Sequence, residues 1–225
     1  MSPKTATLLC LLTLAWALPA YCGKPAVLGP DTSGWQQMDQ KSGVTIYARA
    51  RLGTSLKEFK GTGLIDMPPA TVEKVLDDAT DYPRFMPYVA ISRLVGHDGD
   101  ALLNYQLLDV PFIAPRDYTV RVEHGVTSGT SGVQTFRDTW QTDNDAGPPT
   151  QSGTVRVKVN EGSWLLEPAG VNGSQTQATY QIYTDNGGVL PAFLANHASE
   201  IMIPKLFDAL RKQVHDPRYA AAAAQ

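Results

Sequence analysis

The chain has 225 residues, of which 43% are hydrophobic and 18% charged, and its formal net charge is -3. This length suits one large domain or two very small ones, and the composition supports a sizeable core and argues against wholesale disorder. No block of basic residues could neutralise a run of phosphates, so nucleic acid is not expected as a partner.

The first 22 residues differ from the rest of the chain. Lys4 gives a weakly positive start, residues 6–18 are almost entirely apolar, and small residues such as Ala20 follow. The apolar run is shorter than the roughly 20 residues that span a bilayer. It predicts a secretory signal cut after Ala20 or Cys22, and therefore an exported protein, periplasmic or secreted. The alternative is a buried N-terminal helix.

The cysteines, Cys10 and Cys22, both lie within this segment, so the rest of the chain must rely on its hydrophobic core. A lipid anchor on Cys22 stays open, although the preceding Tyr21 is bulkier than bacterial lipoprotein signals prefer. Residues 23–34, rich in Pro and Gly, are interpreted as a linker. With residues 216–225 predicted to be a disordered tail, one domain remains over residues 35–215.

Strand alternation begins after the linker. Residues 44–50 alternate apolar and polar side chains, and residues 59–65 form a second predicted strand. Within it, Gly61 and Gly63 indicate a bend or a close approach of the backbone to another element.

Pro69 is well placed as the first residue of a helix. Val72, Val75 and Leu76 share one face of this helix, which we expect to be buried. The charged side chains are expected to face water, namely Glu73, Lys74, Asp77 and Asp78.

Antiparallel strands dominate the remainder. Residues 89–95 and 102–108 predict a hairpin, and residues 107–115 an apolar loop bounded by prolines. Further strands are predicted over 117–124, 133–141, 155–160, 163–167 and 175–183. A closing helix over residues 191–214 contains Pro204, which should kink it and separate two apolar faces. This order predicts an α+β fold, with a helix against a curved antiparallel sheet.

Sites for catalysis, metals and cofactors are not indicated. The histidines are scattered without metal-ligand spacing, at His97, His124, His197 and His215. Residues 129–132 lack the spacing of a nucleophile elbow, and no phosphate-binding glycine loop opens a helix. We therefore predict no catalytic residue, no metal site and no cofactor.

Aromatic and thioether side chains occur at the ends of the predicted sheet. Tyr82, Phe85 and Met86 follow the first helix, and Phe112 and Ile113 lie in the apolar loop. Each alone is more typical of an ordinary core. Together, beneath a covering helix, they could enclose an apolar pocket.

Several segments, in this order and spacing, resemble the START domain, the steroidogenic-acute-regulatory-protein-related lipid transfer family of the helix-grip fold. They are Trp35, residues 44–49 (VTIYAR), 81–87 (DYPRFMP), 115–118 (PRDY) and 190–196 (LPAFLAN). The resemblance extends over nearly all of the chain after the linker. It implies a U-shaped antiparallel sheet around the terminal helix, with a tunnel between them gated by residues 107–115 and that helix.

The resemblance also implies a monomer, not an enzyme, that binds and transfers a single hydrophobic lipid, with transient membrane contact. The expected lipid-binding residues are Tyr82, Phe85, Met86, Asn104, Phe112, Ile113, Arg116, Tyr118, Val120, Val122, Trp164, Tyr180, Leu194, Ala198 and Ile201.

Ligand identity is left open at this stage. Sterol-transporting members often carry a second basic residue six places after the motif arginine, where this chain has Val122. This departure disfavours a sterol held through a buried ion pair. It leaves a more uniformly apolar ligand, or one held by neutral groups of Asn104, Tyr118 or Tyr180.

Arg116 has two interpretations. It could contact a ligand head group, or it could, with Asp117, tie the loop to the sheet; the second is preferred because adjacent strand residues face opposite sides. Two rival functions also remain: an enzyme of the same fold, such as a cyclase or hydrolase, and a structural domain with a filled cavity. The enzyme would require an acid/base pair inside the cavity.

Overall fold

A computed structural model describes residues 34–129 and 132–220. The predicted signal segment, and the linker apart from its last residue, lie outside these ranges. Within them, no helix combines the length and the apolar character needed to cross a membrane.

One sheet contains all the strands of the described residues: β1 Gln36–Lys41, β2 Val44–Ala50, β3 Lys57–Ile65, β4 Val89–Asp98, β5 Ala101–Leu108, β6 Arg116–Ser128, β7 Gln134–Thr142, β8 Val155–Arg156, β9 Val159–Ala169 and β10 Gln175–Asp185. The spatial order is β1-β2-β3-β10-β9-β7-β6-β5-β4, and all these neighbours are antiparallel. β8 lies off this path and pairs in parallel with the start of β6.

Among the described residues, four α-helices accompany the sheet: α1 Pro69–Asp77, α2 Tyr82–Phe85, α3 Ala192–Gln213 and α4 Pro217–Ala220. The predicted helical start at Pro69 is confirmed. The expectation that Glu73 faces water is wrong, because its side chain points from α1 toward the sheet and only 6% of the residue is exposed.

The close approach indicated by the strand glycines is confirmed. α3 packs on β3, and a Cβ added to Gly61 would lie 2.4 Å from Cγ2 of Ile203. Ile203, Phe207 and Leu210 are fully buried in the core that the helix shares with β2 and β3. The glycine therefore lets the helix lie directly on the strand.

The hairpin predicted over residues 89–95 and 102–108 is present as β4 and β5. β4 and β5 pair around Gly99, whose positive φ of 59° suits the tight turn.

The structure departs from the two strands predicted over residues 155–160 and 163–167. A two-residue strand, β8, precedes one continuous strand, β9, because Gly162 stays extended and pairs with both Ile182 and Trp140.

The terminal helix is continuous through Pro204. The segment predicted to be a disordered tail over residues 216–225 begins with the short helix α4, and its last five residues lie outside the described ranges. α4 returns to the domain, where Tyr219 is buried in the core and its hydroxyl donates to Asp78 Oδ2 at 2.9 Å. Arg218 forms an ion pair with Asp81 at 2.8 Å. The sequence shows only a short polar segment before an alanine run, so this packing was missed.

Candidate functional site

A cavity of about 450 Å³ lies between the sheet and α3. This volume falls in the range of about 300–1,000 Å³ that is typical of small-molecule sites. Its wall combines residues from β4 to β7, β9 and β10 with the end of α1, residues that follow it, and α3. Most of the wall is apolar, and a few charged groups are set into it.

The structure brings twelve of the fifteen predicted lipid-binding residues to this wall: Tyr82, Met86, Asn104, Ile113, Arg116, Tyr118, Val120, Val122, Trp164, Tyr180, Ala198 and Ile201. The other three lie elsewhere. Phe85 packs edge-on against Tyr82 at the border of the core, and Leu194 is partly exposed on α3. Phe112, predicted to cap the cavity, instead points into solvent and is fully exposed.

Aromatic rings in mutual contact form one part of the wall and connect it to the core. The ring centroid of Tyr180 lies 4.6 Å from that of Trp164 and 5.8 Å from that of Trp140. The ring centroid of Trp164 also lies 5.5 Å from that of Phe207 on α3. Trp140, whose Nε1 donates to Asn160 Oδ1 at 2.9 Å, was missed by the sequence reasoning. Its place in the alternation of β7, beside residues of β6 that point inward, could have indicated it.

Neutral polar groups also reach the cavity. The Tyr118 hydroxyl donates to Oε1 of Gln106 at 2.7 Å, across the β5–β6 pair. Burial raises the pKa of both Tyr118 and Tyr180 well above the ordinary value. Both phenols therefore stay neutral and can serve as hydrogen-bonding groups at any physiological pH.

Arg116 brings a positive charge to the wall while only 7% of the residue is exposed. One Nη of its guanidinium donates to the Ala114 carbonyl at 2.7 Å, and Nε has no partner among the described residues. Burial lowers the pKa of Arg116 from its ordinary value. A buried cation without a counter-charge is unfavourable, so this position is suited to an anionic group of a ligand.

Asp117 faces the other way, as the strand geometry predicts. It is fully buried and forms a two-pronged ion pair with Arg156, at 2.8 and 3.0 Å, while the Tyr105 hydroxyl donates to it at 3.3 Å. This pair clamps β8 to the start of β6. The structural interpretation therefore fits Asp117, whereas Arg116 is directed to the cavity.

A polar cluster is built into the same wall where α1 packs on β7, next to β6. Nδ1 of His124 lies 2.9 Å from Asp138 Oδ1, 3.2 Å from Asp77 Oδ1 and 3.6 Å from Glu73 Oε1. His124, Asp138 and Asp77 line the cavity. We call these four residues the His124 cluster.

The electrostatics of the His124 cluster differ strongly from those of exposed groups. The hydrogen bonds to Asp138 and Glu73 raise the pKa of His124 to about 10, so the imidazole is protonated at neutral pH. Burial is the main cause that raises the pKa of Glu73 to about 7. The sequence reasoning missed this cluster because His124 is isolated in the chain; the i, i+4 spacing of Glu73 and Asp77 was its only local sign.

Exposed apolar side chains lie on the segments that border the cavity. Phe112, at the tip of the loop, has a positive φ of 70°, which is strained for a residue with a side chain. Val189, Phe193, Leu194 and Ile201 are exposed before and along the first half of α3. We call these five residues the apolar rim.

Comparison with known proteins identifies the family. A family model described as "polyketide cyclase / dehydrase and lipid transport" matches residues 65–211. The chain belongs to this family. The predicted START relationship and helix-grip fold, a large curved antiparallel sheet with a C-terminal helix, are thereby confirmed.

Individual proteins extend the likeness. The chain is 29% identical to the rat phosphatidylcholine transfer protein over 184 residues, covering 80% of this chain and 82% of that one. It is 26% identical to an uncharacterised Pseudomonas aeruginosa protein, over 72% of this chain and 77% of the other. A crystal structure of a STAR-related lipid transfer protein from Xanthomonas axonopodis, 26% identical, superposes with a TM-score of 0.69 over 81% of this chain and 99% of that one.

Proposed function

We propose that this protein holds one lipid in the cavity and transfers it between membrane surfaces as a monomeric carrier, after export from the cytoplasm. The largely apolar wall favours a ligand whose acyl chains leave water, because burial is worth about 0.8 kcal/mol per CH₂ group. The similarity to a phosphatidylcholine transfer protein and to a STAR-related lipid transfer protein supports the same ligand class.

The observation that carries this proposal is the buried guanidinium of Arg116. Among the described wall residues it is the only lysine or arginine, and no carboxylate lies within ion-pair distance of it. A fully apolar ligand would leave this charge uncompensated in a largely apolar cavity. A phosphate ester would pair with it, so we propose a phospholipid rather than a neutral lipid.

The apolar rim supports transfer at a membrane surface. Exposed Phe112 and Phe193 lie on the two segments, the loop and α3, that the START resemblance implies as the gate. Contact of this rim with lipid would let the ligand leave the bilayer without crossing water. Aromatic side chains are suited to this depth because they favour the membrane interface.

A catalytic alternative rests on one specific observation. An enzyme on this fold requires an acid/base pair in the cavity, and the His124 cluster places a histidine and carboxylates on the wall. The direct pairing of protonated His124 with Asp138 favours a static charge arrangement. A carrier must return its lipid chemically intact, whereas a hydrolase or cyclase would convert it.

The test is native mass spectrometry of the purified protein, followed by extraction of the bound molecule. We expect one phospholipid per chain, unchanged after prolonged incubation. A transfer assay between vesicles, using a fluorescent phosphatidylcholine, then measures exchange. A protein that binds no lipid, or one that converts it, would refute the carrier function.

Arg116→Met separates binding from stability. Because it removes a buried unpaired charge, we expect an unchanged or higher melting temperature but at least ~10-fold weaker phospholipid binding. The matched control is Arg121→Met, on the same strand but off the cavity wall, where the arginine pairs with Asp98 and Glu123. Equal binding by the two variants would contradict the assigned role of Arg116.

A further inference from the structure

The His124 cluster is held on rigid elements from three parts of the chain. Glu73 and Asp77 are four residues apart on α1 and therefore project from the same face. His124 and Asp138 are directly opposed across the antiparallel pair of β6 and β7. Neither pair is on a loop, so regular elements hold all four side chains, and the three carboxylates approach Nδ1 of His124.

The distances within the cluster are close to those of a metal coordination shell, and the shortest must lengthen by about 0.4 Å to admit an ion. In a tetrahedral zinc site, metal–ligand distances of about 2.0–2.2 Å place the ligand atoms about 3.3–3.6 Å from one another. Here Nδ1 of His124 lies 2.9, 3.2 and 3.6 Å from one oxygen each of Asp138, Asp77 and Glu73. Single ligand atoms of Glu73, His124 and Asp138 all lie within 4.8 Å of one another.

A second observation points to a ligand at this place. Oε2 of Glu73 is buried and has no hydrogen-bond partner among the described residues. Only 6% of the residue is exposed, so solvent does not satisfy this oxygen. Native proteins rarely leave a buried carboxylate oxygen unsatisfied. Three carboxylates also surround a single imidazole, which leaves an excess of negative charge for a cation to neutralise.

We propose that the His124 cluster is a binding site for a divalent first-row transition cation, with Zn²⁺ as the representative ion. Nδ1 of His124 and one carboxylate oxygen each of Glu73 and Asp138 are the ligands. Asp77, whose Oδ1 lies 3.2 Å from Nδ1, places a further negative charge beside the ion. Mixed imidazole and carboxylate donors suit zinc, whereas magnesium and calcium prefer oxygen alone. Binding replaces the hydrogen bond from Nδ1 to Asp138, and the released proton passes to solvent.

The cation would also have a route to the site. His124, Asp77 and Asp138 lie on the cavity wall, and the Asp77 side chain is 48% exposed. The site is separate in its ligands from Arg116, and its test does not depend on the identity of the lipid. It adds a metal-binding activity to the carrier function proposed above.

The experiment is titration of ZnCl₂ into untagged, chelator-treated protein by calorimetry, with CoCl₂ absorption as a spectroscopic report of nitrogen and oxygen coordination. We expect one ion per chain. His124→Ala and Asp77→Asn should each weaken Zn²⁺ binding at least ~10-fold. The matched control is His197→Ala, which alters an exposed histidine that pairs with Glu200, and it should change the affinity less than twofold.

Asp77→Asn keeps the test valid if His124→Ala disturbs folding, because the Asp77 side chain is half exposed. Circular dichroism of each variant checks the fold. Absence of Zn²⁺ binding at millimolar concentration would overturn the proposal. So would binding that survives Asp77→Asn and His124→Ala equally, or Mg²⁺ binding as tight as that of Zn²⁺.

Discussion

Replacing Gly61 with alanine tests how α3 is seated on the sheet. Gly61 lies in β3 opposite Ile46 and Tyr180, and the helix side chains press directly on it. An added Cβ would be 2.4 Å from Cγ2 of Ile203, whereas ordinary contacts begin at about 3.4 Å. The helix must therefore move outward by about 1 Å or distort the rotamer of Ile203.

The expected cost follows from this overlap. Overpacking of a well-filled core destabilises by about 1–3 kcal/mol. For a domain of this size we expect the melting temperature to fall by about 3–10 °C. Since α3 also covers the cavity, its outward movement should accelerate lipid exchange between vesicles. Thermal and urea unfolding measure the first effect, and a fluorescent-lipid transfer assay measures the second.

A double-mutant cycle identifies the cause. Ile203→Ala removes the clashing methyl group, so Gly61→Ala should be less harmful in that background by at least ~1 kcal/mol. Gly96→Ala is the control, because its added Cβ would meet only Leu103 Cδ1 at 3.5 Å and should change stability by less than about 0.5 kcal/mol. Additive effects of the two substitutions, or a Gly61→Ala protein as stable as wild type, would refute the close seating of the helix.

Three further predictions concern the rim, the helix and the His124 cluster. Phe112→Asp should slow lipid transfer at least ~10-fold and shift the melting temperature by less than about 2 °C, because the side chain is fully exposed; equal losses would mean that it packs in the core. If the first half of α3 is a lid, hydrogen exchange should be faster before Pro204 than after it, and lipid should protect mainly the earlier turns. Pro204→Ala should slow lipid exchange without unfolding the domain. Equal hydrogen exchange in both halves of the helix would exclude a lid. Glu73→Gln should raise stability relative to wild type in the presence of a chelator, and this gain should increase between pH 5 and 8. The pKa of Glu73 is raised to about 7, so its protonated form stabilises the fold at low pH, and that contribution is lost as pH rises through 7. Thermal melts that show a constant difference between the two proteins across this range would contradict the prediction.

Local patterns in the sequence predicted much of the fold. The alternation of Val44, Ile46 and Ala48 identified β2, and all three are buried as expected. The glycine at position 61 indicated a close approach, although not the element that approaches. The strand predicted over residues 155–160 contains β8, but its end after Arg156 and its parallel pairing with β6 could not be predicted, because they involve Arg156 and Asp117, an ion pair 39 positions apart.

The candidate site was predictable where one strand carries the pattern. Tyr118, Val120 and Val122 line the cavity because alternate residues of β6 face inward. Groups whose role depends on long-range pairing were not predictable. Glu73 resembles a solvated helix residue until α1 is placed against His124 and Asp138, and Phe112 resembles a buried apolar residue until the loop is seen to turn it outward.

The charges on the cavity wall also bear on the class of ligand. Position 122 is valine, so Arg116 is the one residue of β6 that places a guanidinium on the cavity wall, without the second basic residue that the START resemblance associates with sterol binding. A sterol hydroxyl is neutral and could hydrogen-bond to Tyr118 or Tyr180, but it would leave the charge of Arg116 without compensation. Because an uncompensated buried charge is costlier than an unsatisfied hydroxyl, the wall favours a lipid that carries its own negative charge.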